Sequence, residues 1–184
     1  MNWPNRLSLL RVALIPVCVA LLYAQNSVCR ILALIVFAVS AFTDWLDGWI
    51  ARRYHIVTNF GKFLDPVADK LLVLSTMIAL CGLGEFPAWA CIVILFRELA
   101  VDGLRLVAVE QGHVIAAGKL GKLKTSVQML TLLWFLLKPH AYVAGAFSLG
   151  MVLVWLSVAL TLWSGVDYFI KNRAVLHDQG GTRA

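Results

Sequence analysis

Long stretches of the chain are dominated by apolar residues, and short polar or charged segments separate these stretches. An α-helix needs about 20 consecutive, mainly apolar residues to cross the hydrocarbon core of a bilayer. On that criterion we predict an all-α integral membrane protein, a bundle of six transmembrane helices preceded by an interfacial segment over residues 1–10. The predicted spans are Leu7–Ala24, Ile31–Ala51, Phe60–Cys81, Pro87–Glu110, Leu120–Leu137 and Val143–Ile170.

The composition supports a membrane protein over a soluble one. The chain has 184 residues, of which 61% are apolar, whereas about half is usual for a soluble domain. Its formal net charge is +6, but the basic residues are scattered between apolar spans and form no dense patch for nucleic acid. We therefore predict one membrane domain over residues 1–184, with a cytoplasmic tail over residues 172–184 and no nucleic-acid partner.

The distribution of lysine and arginine predicts the orientation of the bundle. Cytoplasmic ends of membrane helices carry an excess of these residues. The predicted helix ends on one side of the membrane hold only two basic residues, Arg30 and Lys138. The ends on the opposite side, which include both termini, are rich in lysine and arginine, so we predict that they face the cytoplasm at the inner membrane. Their basic residues are Arg6, Arg11, Arg52, Arg53, Lys62, Lys119, Lys122, Lys124, Lys171, Arg173 and Arg183.

Four aspartates lie beside two of the apolar stretches. Asp44 and Asp47 are three residues apart, and Asp65 and Asp69 are four apart, so each pair shares one face of a helix. A carboxylate near the centre of a bilayer costs roughly 3 kcal/mol. Two divalent metal ions with oxygen ligands would best compensate four of them. The alternative is a structural salt-bridge network with the neighbouring basic residues Arg52, Arg53, Lys62 and Lys70.

The spacing of these aspartates resembles a known signature. Asp44-x-x-Asp47-Gly48-x-x-Ala51-Arg52, eight residues, then Gly61-x-x-x-Asp65-x-x-x-Asp69 is similar to the signature of the CDP-alcohol phosphotransferases, membrane enzymes of phospholipid synthesis. The resemblance implies that the four aspartates hold two Mg²⁺ or Mn²⁺ ions. It also implies that Asp69 is the general base, with metal contact in addition.

The same resemblance implies where the nucleotide binds. Small residues one turn from an aspartate let a flat base or ribose approach the backbone, although small residues serve close packing of membrane helices equally well. The implied CDP-binding residues are Asp44, Asp47, Gly48, Ala51, Arg52 and Gly61.

The fourth predicted helix contains four charges within an apolar span. Arg97 and Arg105 are eight residues apart, about two turns, and therefore share a face. Arginine binds oxyanions through its planar guanidinium, so the pair could hold a phosphate. The alternative is simple neutralisation, in which the pairs Arg97–Glu98 and Asp102–Arg105 compensate one another or charges on neighbouring helices.

A basic segment with two glycines, Gly118–Thr125, precedes the fifth predicted helix and lacks the spacing of a nucleotide-binding P-loop. Its lysines also fit a positive cytoplasmic flank. Together with Asn5-x-Leu7-Ser8-x-x-Arg11 and Arg97-Glu98, the run Gly121-Lys122-x-Lys124-Thr125 resembles the branch of the family that makes phosphatidylglycerophosphate.

That branch resemblance implies a specific reaction. A phosphatidyl group passes from CDP-diacylglycerol to sn-glycerol 3-phosphate, and CMP leaves. The implied acceptor-phosphate residues are Arg97, Arg105, Lys122 and Lys124, and a homodimer is implied as well. The alternatives are a sibling enzyme with another acceptor, such as a cardiolipin synthase, and a small cation transporter using intramembrane carboxylates.

Overall fold

The structure, a computed structural model, describes residues 3–54, 59–112, 115, 118–137, 148–173 and 175, with side chains from residue 9 onward except at 44–66 and 119. Over these residues the chain forms six helices and no strand, which confirms the predicted all-α class and the helix count. The helices are α1 Trp3–Tyr23, α2 Ser27–Tyr54, α3 Asn59–Gly82, α4 Ala88–Glu110, α5 Lys119–Leu137 and α6 Leu149–Lys171.

These helices coincide with the six predicted apolar spans, apart from residues 143–147, which lie outside the described residues. Residues 3–10, predicted as an interfacial segment, are continuous with the rest of α1. Among the described helices, only α6 is long and apolar enough to cross a membrane by length and composition. Leu9–Tyr23 and Ser27–Thr43 are apolar but shorter, and α4 is interrupted by its four central charges.

The helices pack around one main apolar core. Helix α1 lies against α2 and α3, α5 lies against α2 and α6, and α4 lies against α6. Phe37, Leu80 and Phe135 are fully buried at its centre, and the edge of the Phe86 ring meets Phe135 with 5.2 Å between ring centroids. Because these contacts join residues from distant parts of the chain, the core fixes the helices relative to one another.

The outward faces of the bundle are also apolar. Phe96, Leu106 and Trp163 are between 66% and 74% exposed. Several polar side chains are instead buried, including Gln128 and Thr161, which hydrogen-bond to each other at 3.0 Å between α5 and α6. An apolar exterior around a partly polar interior suits a lipid environment better than water.

Two tight turns close one end of the bundle. Gln25, between α1 and α2, and Gly84, between α3 and α4, have positive φ angles of 51° and 71°. The Asn26 side chain accepts a hydrogen bond from the Val28 backbone N–H at 2.9 Å, which supports the first turn of α2. These turns bring the start of α2 and the loop before α4 to the same end.

Arg30 joins three segments at that end. Its guanidinium forms a two-point ion pair with Glu85, with 2.8 Å between Nη1 and Oε1, and both side chains are largely buried. It also donates to the Leu136 and Phe135 carbonyls at 3.0 and 2.6 Å. These carbonyls belong to the last turn of α5, where helix carbonyls lack partners within the helix. Arg30 therefore ties α2, the loop before α4 and the end of α5 together.

We predict that Arg30→Gln destabilises the fold without impairing substrate binding. Removing one partner of a largely buried ion pair should lower the free energy of unfolding by roughly 3 kcal/mol. The matched control is Lys171→Gln, because the Lys171–Asp167 pair is solvent-exposed at Lys171 and should contribute less than about 1 kcal/mol. Unfolding of both variants would be followed in detergent micelles. Equal stability of the two variants would contradict the structural role of Arg30.

Candidate active site

A cavity of about 240 Å³ lies at the opposite end of the bundle from Arg30, between α3, α4, α5 and α6. The middle of α3, residues 94–105 of α4, the N-terminal half of α5 and the C-terminal half of α6 line it. Asp69 lies in its wall and is half-buried. The other polar lining residues include five basic side chains, and together they are Lys70, Arg97, Glu98, Arg105, Lys122, Lys124, Thr125, Gln128, Ser164, Asp167 and Tyr168.

Glu98 is the centre of an ion-pair cluster in this wall. Its Oε1 pairs with the Lys124 ammonium from α5 and lies 3.3 Å from Arg97 Nη1. Its Oε2 lies 3.8 Å from Lys70 Nζ of α3. Glu98 and Lys124 are both buried. A buried carboxylate needs compensating charge, and here three cations from three helices provide it.

Lys70 has a second partner, Asp102, one turn after Glu98 on α4. The sequence left open whether Asp102 compensates Arg105 or a charge on a neighbouring helix, and the observed ion pair is the second kind. Residues three apart on a helix face the same side, but Lys70 of α3 takes this carboxylate instead. The other pair of that alternative is confirmed, since Arg97 does contact Glu98.

Among the described residues, Arg105 interacts with a tyrosine of α6 and forms no ion pair. Its Nε donates a hydrogen bond to Tyr168 Oη at 2.9 Å, and its guanidinium carbon lies 5.4 Å from the centroid of the Tyr168 ring. A guanidinium at that distance from an aromatic face is attracted by the ring quadrupole. The two aspects of the contact hold Arg105 at the cavity wall.

Arg97 reaches the cavity because α6 has a glycine beside it. A Cβ added at Gly165 would lie 3.0 Å from Arg97 Cγ and 3.6 Å from its Nε. The Arg97 Nε is buried and has no hydrogen-bond partner among the described atoms. A buried guanidinium that keeps unused donors is suited to receive an anion.

The charges of the described residues around the cavity do not balance. Of the described lining residues, five are cationic (Lys70, Arg97, Arg105, Lys122 and Lys124) and three are acidic (Asp69, Glu98 and Asp167). Asp102 and Lys171 pair with two of these residues, and including them leaves the excess at two positive charges. With all acids ionised, the wall can therefore neutralise an anion of charge −2.

The comparisons with known proteins identify the family of the chain. A family model described as CDP-alcohol phosphatidyltransferase matches residues 1–163. The chain belongs to the CDP-alcohol phosphatidyltransferase family. The chain is similar to the Bacillus subtilis protein named CDP-diacylglycerol–glycerol-3-phosphate 3-phosphatidyltransferase, with 41% identity covering 93% of this chain and 95% of the relative. The Escherichia coli K12 protein of the same name is 38% identical, covering 97% and 98%.

Family membership confirms the predicted resemblance and the predicted enzyme class. The structure shows where five of the predicted site residues lie, and their roles stay predictions. The cavity described above is lined by these five, namely Asp69, Arg97, Arg105, Lys122 and Lys124. The backbone confirms that Asp44 and Asp47 share α2 and that Asp65 and Asp69 share α3. The side chains of Asp44, Asp47, Arg52 and Asp65, and the surroundings of Gly48, Ala51 and Gly61, lie outside the described part.

The predicted metal ligands are chemically suited to Mg²⁺ or Mn²⁺. Carboxylate oxygens are the ligands these hard cations prefer, and Asp65 and Asp69 lie one turn apart on α3. Among the side chains the structure describes, no three potential ligands gather as a metal site, but three of the four predicted ligands are outside that set. The metal site therefore stays a prediction.

Sequence reasoning missed the contribution of α6 to this phosphatidyltransferase. Ser164, Asp167 and Tyr168 are polar residues at spacings of three and four within an apolar helix, a pattern that places them on one face. That pattern could have indicated a polar wall. The site role of Lys70 was also missed, because its position beside Asp69 suggested only a salt bridge.

We predict that Lys124 and Glu98 are energetically coupled. Lys124→Met should lower the free energy of unfolding by about 3 kcal/mol, because it leaves Glu98 buried with fewer compensating charges. The double variant Lys124→Met/Glu98→Gln should recover most of that loss. Chemical unfolding of the single and double variants gives the coupling energy, with Lys122→Met, whose side chain is exposed, as the control. Additive effects would contradict the coupling.

Proposed function

We propose that this chain is a phosphatidylglycerophosphate synthase, which transfers the phosphatidyl group of CDP-diacylglycerol to sn-glycerol 3-phosphate. The observation that carries the proposal is the cavity itself, where Asp69 and five cationic side chains share one wall. The names of relatives 38–41% identical over nearly the whole chain support the same donor and acceptor.

The proposed chemistry requires a base beside an anion-binding surface. Asp69 accepts the proton of the glycerol 3-phosphate hydroxyl as the oxygen attacks the phosphorus of the phosphatidyl group. A new P–O bond forms, the bond between that phosphorus and the CMP oxygen breaks, and CMP leaves. A positioned general base typically contributes about 10²–10⁴ in rate.

The phosphates of the donor need positive charge on the other side of the site. Asp44, Asp47, Asp65 and Asp69 would hold two Mg²⁺ or Mn²⁺ ions. Such ions, when bound, neutralise phosphate oxygens and stabilise the departing CMP. Gly48, Ala51 and Gly61 would allow the nucleotide close to the backbone of α2 and α3, and Arg52 would hold its phosphates. Asp44 and Asp47 would contribute to CDP binding through the metal ions that they would hold.

The acceptor phosphate fits the basic wall. At neutral pH a phosphate monoester carries a charge between about −1.5 and −2, and the wall has an excess of two positive charges. Arg97, Arg105, Lys122 and Lys124 are the proposed ligands, and Lys70 joins them because its ammonium lies in the same wall. An acceptor without a phosphate would leave this excess uncompensated.

The proposed location is the inner membrane, with six membrane passes and the site on the cytoplasmic side. The apolar outward faces and the excess of lysine and arginine at the cavity end support it. A cation transporter would need acidic residues along a path to both faces, and family membership gives that alternative no support. The homodimer stays a prediction, and the mass of the purified protein in detergent would test it.

The first prediction from the proposed function concerns Asp69 as the general base. Purified protein should convert CDP-diacylglycerol and glycerol 3-phosphate to phosphatidylglycerophosphate and CMP in the presence of Mg²⁺. Asp69→Asn should lower turnover by about 10²–10⁴, whereas Glu110→Gln, an exposed carboxylate at the end of α4, should leave turnover unchanged. Product chromatography with glycerol 3-phosphate, serine, inositol phosphate and phosphatidylglycerol identifies the acceptor. Preference for phosphatidylglycerol would indicate a cardiolipin synthase instead.

The second prediction concerns the acceptor phosphate. Arg105→Gln should raise the KM for glycerol 3-phosphate about 10- to 100-fold, the worth of a charge-assisted hydrogen bond, and leave the KM for CDP-diacylglycerol near its original value. Arg173→Gln, an exposed arginine after α6, is the matched control. Loss of donor affinity with retained acceptor affinity would show that α4 binds the nucleotide.

The third prediction concerns orientation. A cysteine introduced at Tyr54, the last residue of α2, should resist a membrane-impermeant thiol reagent in intact cells and react in inverted vesicles. A variant with the four native cysteines replaced provides the background. Labelling in intact cells would contradict the cytoplasmic placement of the site.

A further inference from the structure

Tyr168 is the only aromatic residue among the described side chains that line the cavity. It comes from α6 and is 7% exposed. Its hydroxyl accepts the hydrogen bond from Arg105 Nε at 2.9 Å, and its ring lies 5.4 Å from the guanidinium carbon. A single side chain thus fixes Arg105 both in direction and in distance from α6.

This contact engages the inner nitrogen of the guanidinium. In the part of the chain that the structure describes, no other hydrogen bond or ion pair to the Arg105 side chain is present. The two terminal nitrogens, which form the fork that binds a phosphate or carboxylate at two points, therefore remain available. A carboxylate partner would have neutralised the guanidinium, whereas the tyrosine hydroxyl orients it and leaves its charge for a ligand.

Tyr168 is itself firmly held. It forms a buried apolar cluster with Val101 and Leu104 of α4 and with Val175. Gln111 Nε2 donates to the Val175 carbonyl at 3.0 Å, which ties the segment after α6 to the end of α4. Because packing on both sides restrains the tyrosine, Arg105 loses less conformational freedom when it binds an anion.

We propose that Tyr168 is a positioning residue for the acceptor phosphate, acting through the Arg105 guanidinium. The proposal rests on the function proposed above, because it assumes that Arg105 binds that phosphate. Tyr168 lies after residue 163, where the match to the family model ends. The end of α6 would then contribute to acceptor affinity although the aspartate signature lies entirely on α2 and α3.

The test is Tyr168→Phe, which removes the hydroxyl and keeps the ring that packs in the apolar cluster. We expect the KM for glycerol 3-phosphate to rise about 3- to 10-fold, the worth of one hydrogen bond. The KM for CDP-diacylglycerol and the midpoint of thermal unfolding should stay unchanged. Tyr23→Phe is the matched control, because Tyr23 is exposed at the far end of α1.

A double-mutant cycle separates positioning from a general structural effect. In the Arg105→Gln background, Tyr168→Phe should cause no further rise in the KM for glycerol 3-phosphate, because the group that it orients is gone. An equal rise in both backgrounds, or a parallel loss of thermal stability and of donor affinity, would overturn the proposal.

The same experiment distinguishes this proposal from the function on which it rests. If Arg105→Gln raises the KM for the acceptor and Tyr168→Phe does not, the positioning role is overturned and the proposed function stands. If Arg105→Gln itself leaves the KM for the acceptor unchanged, the proposed phosphate pocket fails, and the role of Tyr168 fails with it.

Discussion

The compensation of buried charge is the constraint on which this structure depends. Glu98 is buried in the wall of a small cavity, where a carboxylate without partners would be prohibitively unfavourable. Lys124 and Arg97 compensate it from α5 and α4, and Lys70 does so from α3. The cluster therefore links three helices, and its packing requires all three to be in place. Because the cations outnumber the acids, the same cluster that stabilises the fold retains positive charge for a ligand.

The two ends of the bundle use charge in different ways. At one end Arg30 pairs with Glu85 and with two carbonyls of α5, so its donors are used within the protein. At the other end Arg97 keeps a buried Nε without a partner among the described atoms. The first arrangement is that of a structural clamp, and the second is that of a binding site. This contrast is a physical reason to place ligand binding at the cavity end.

The proposed site divides its work between two groups of helices. The aspartate signature lies on α2 and α3, and the basic wall is formed mainly by α4 and α5 with support from α6. Asp69 and Lys70 are neighbours at the junction, since both line the cavity from α3. In the proposed function, Asp69 would be a base between the nucleotide region and the acceptor pocket, which is the arrangement that phosphatidyl transfer requires. The donor chemistry common to the family can thus be combined with an acceptor pocket that depends on other helices.

Much of the fold and part of the site could be predicted from the sequence because they depend on local geometry. Apolar run lengths predicted the six helices, and a spacing of three or four residues placed each aspartate pair on one helix. The spacing of Arg97 and Arg105 likewise placed both on one helix, and both line the cavity. Family-specific spacing on α2 and α3 was enough to identify the enzyme family, which the comparisons confirm.

The partners of the charged residues were decided only by the tertiary structure. Lys124 and Glu98 are 26 positions apart, and Arg105 and Tyr168 are 63 apart, so no helical period relates them. Local spacing offered Arg105 as the partner of Asp102, whereas packing of α3 against α4 gives that carboxylate to Lys70. Sequence spacing determines which side chains share a helix face, but the packing of helices determines which faces meet. Ion pairing in a low-dielectric interior depends on that second choice, because only side chains in contact can compensate one another's charge.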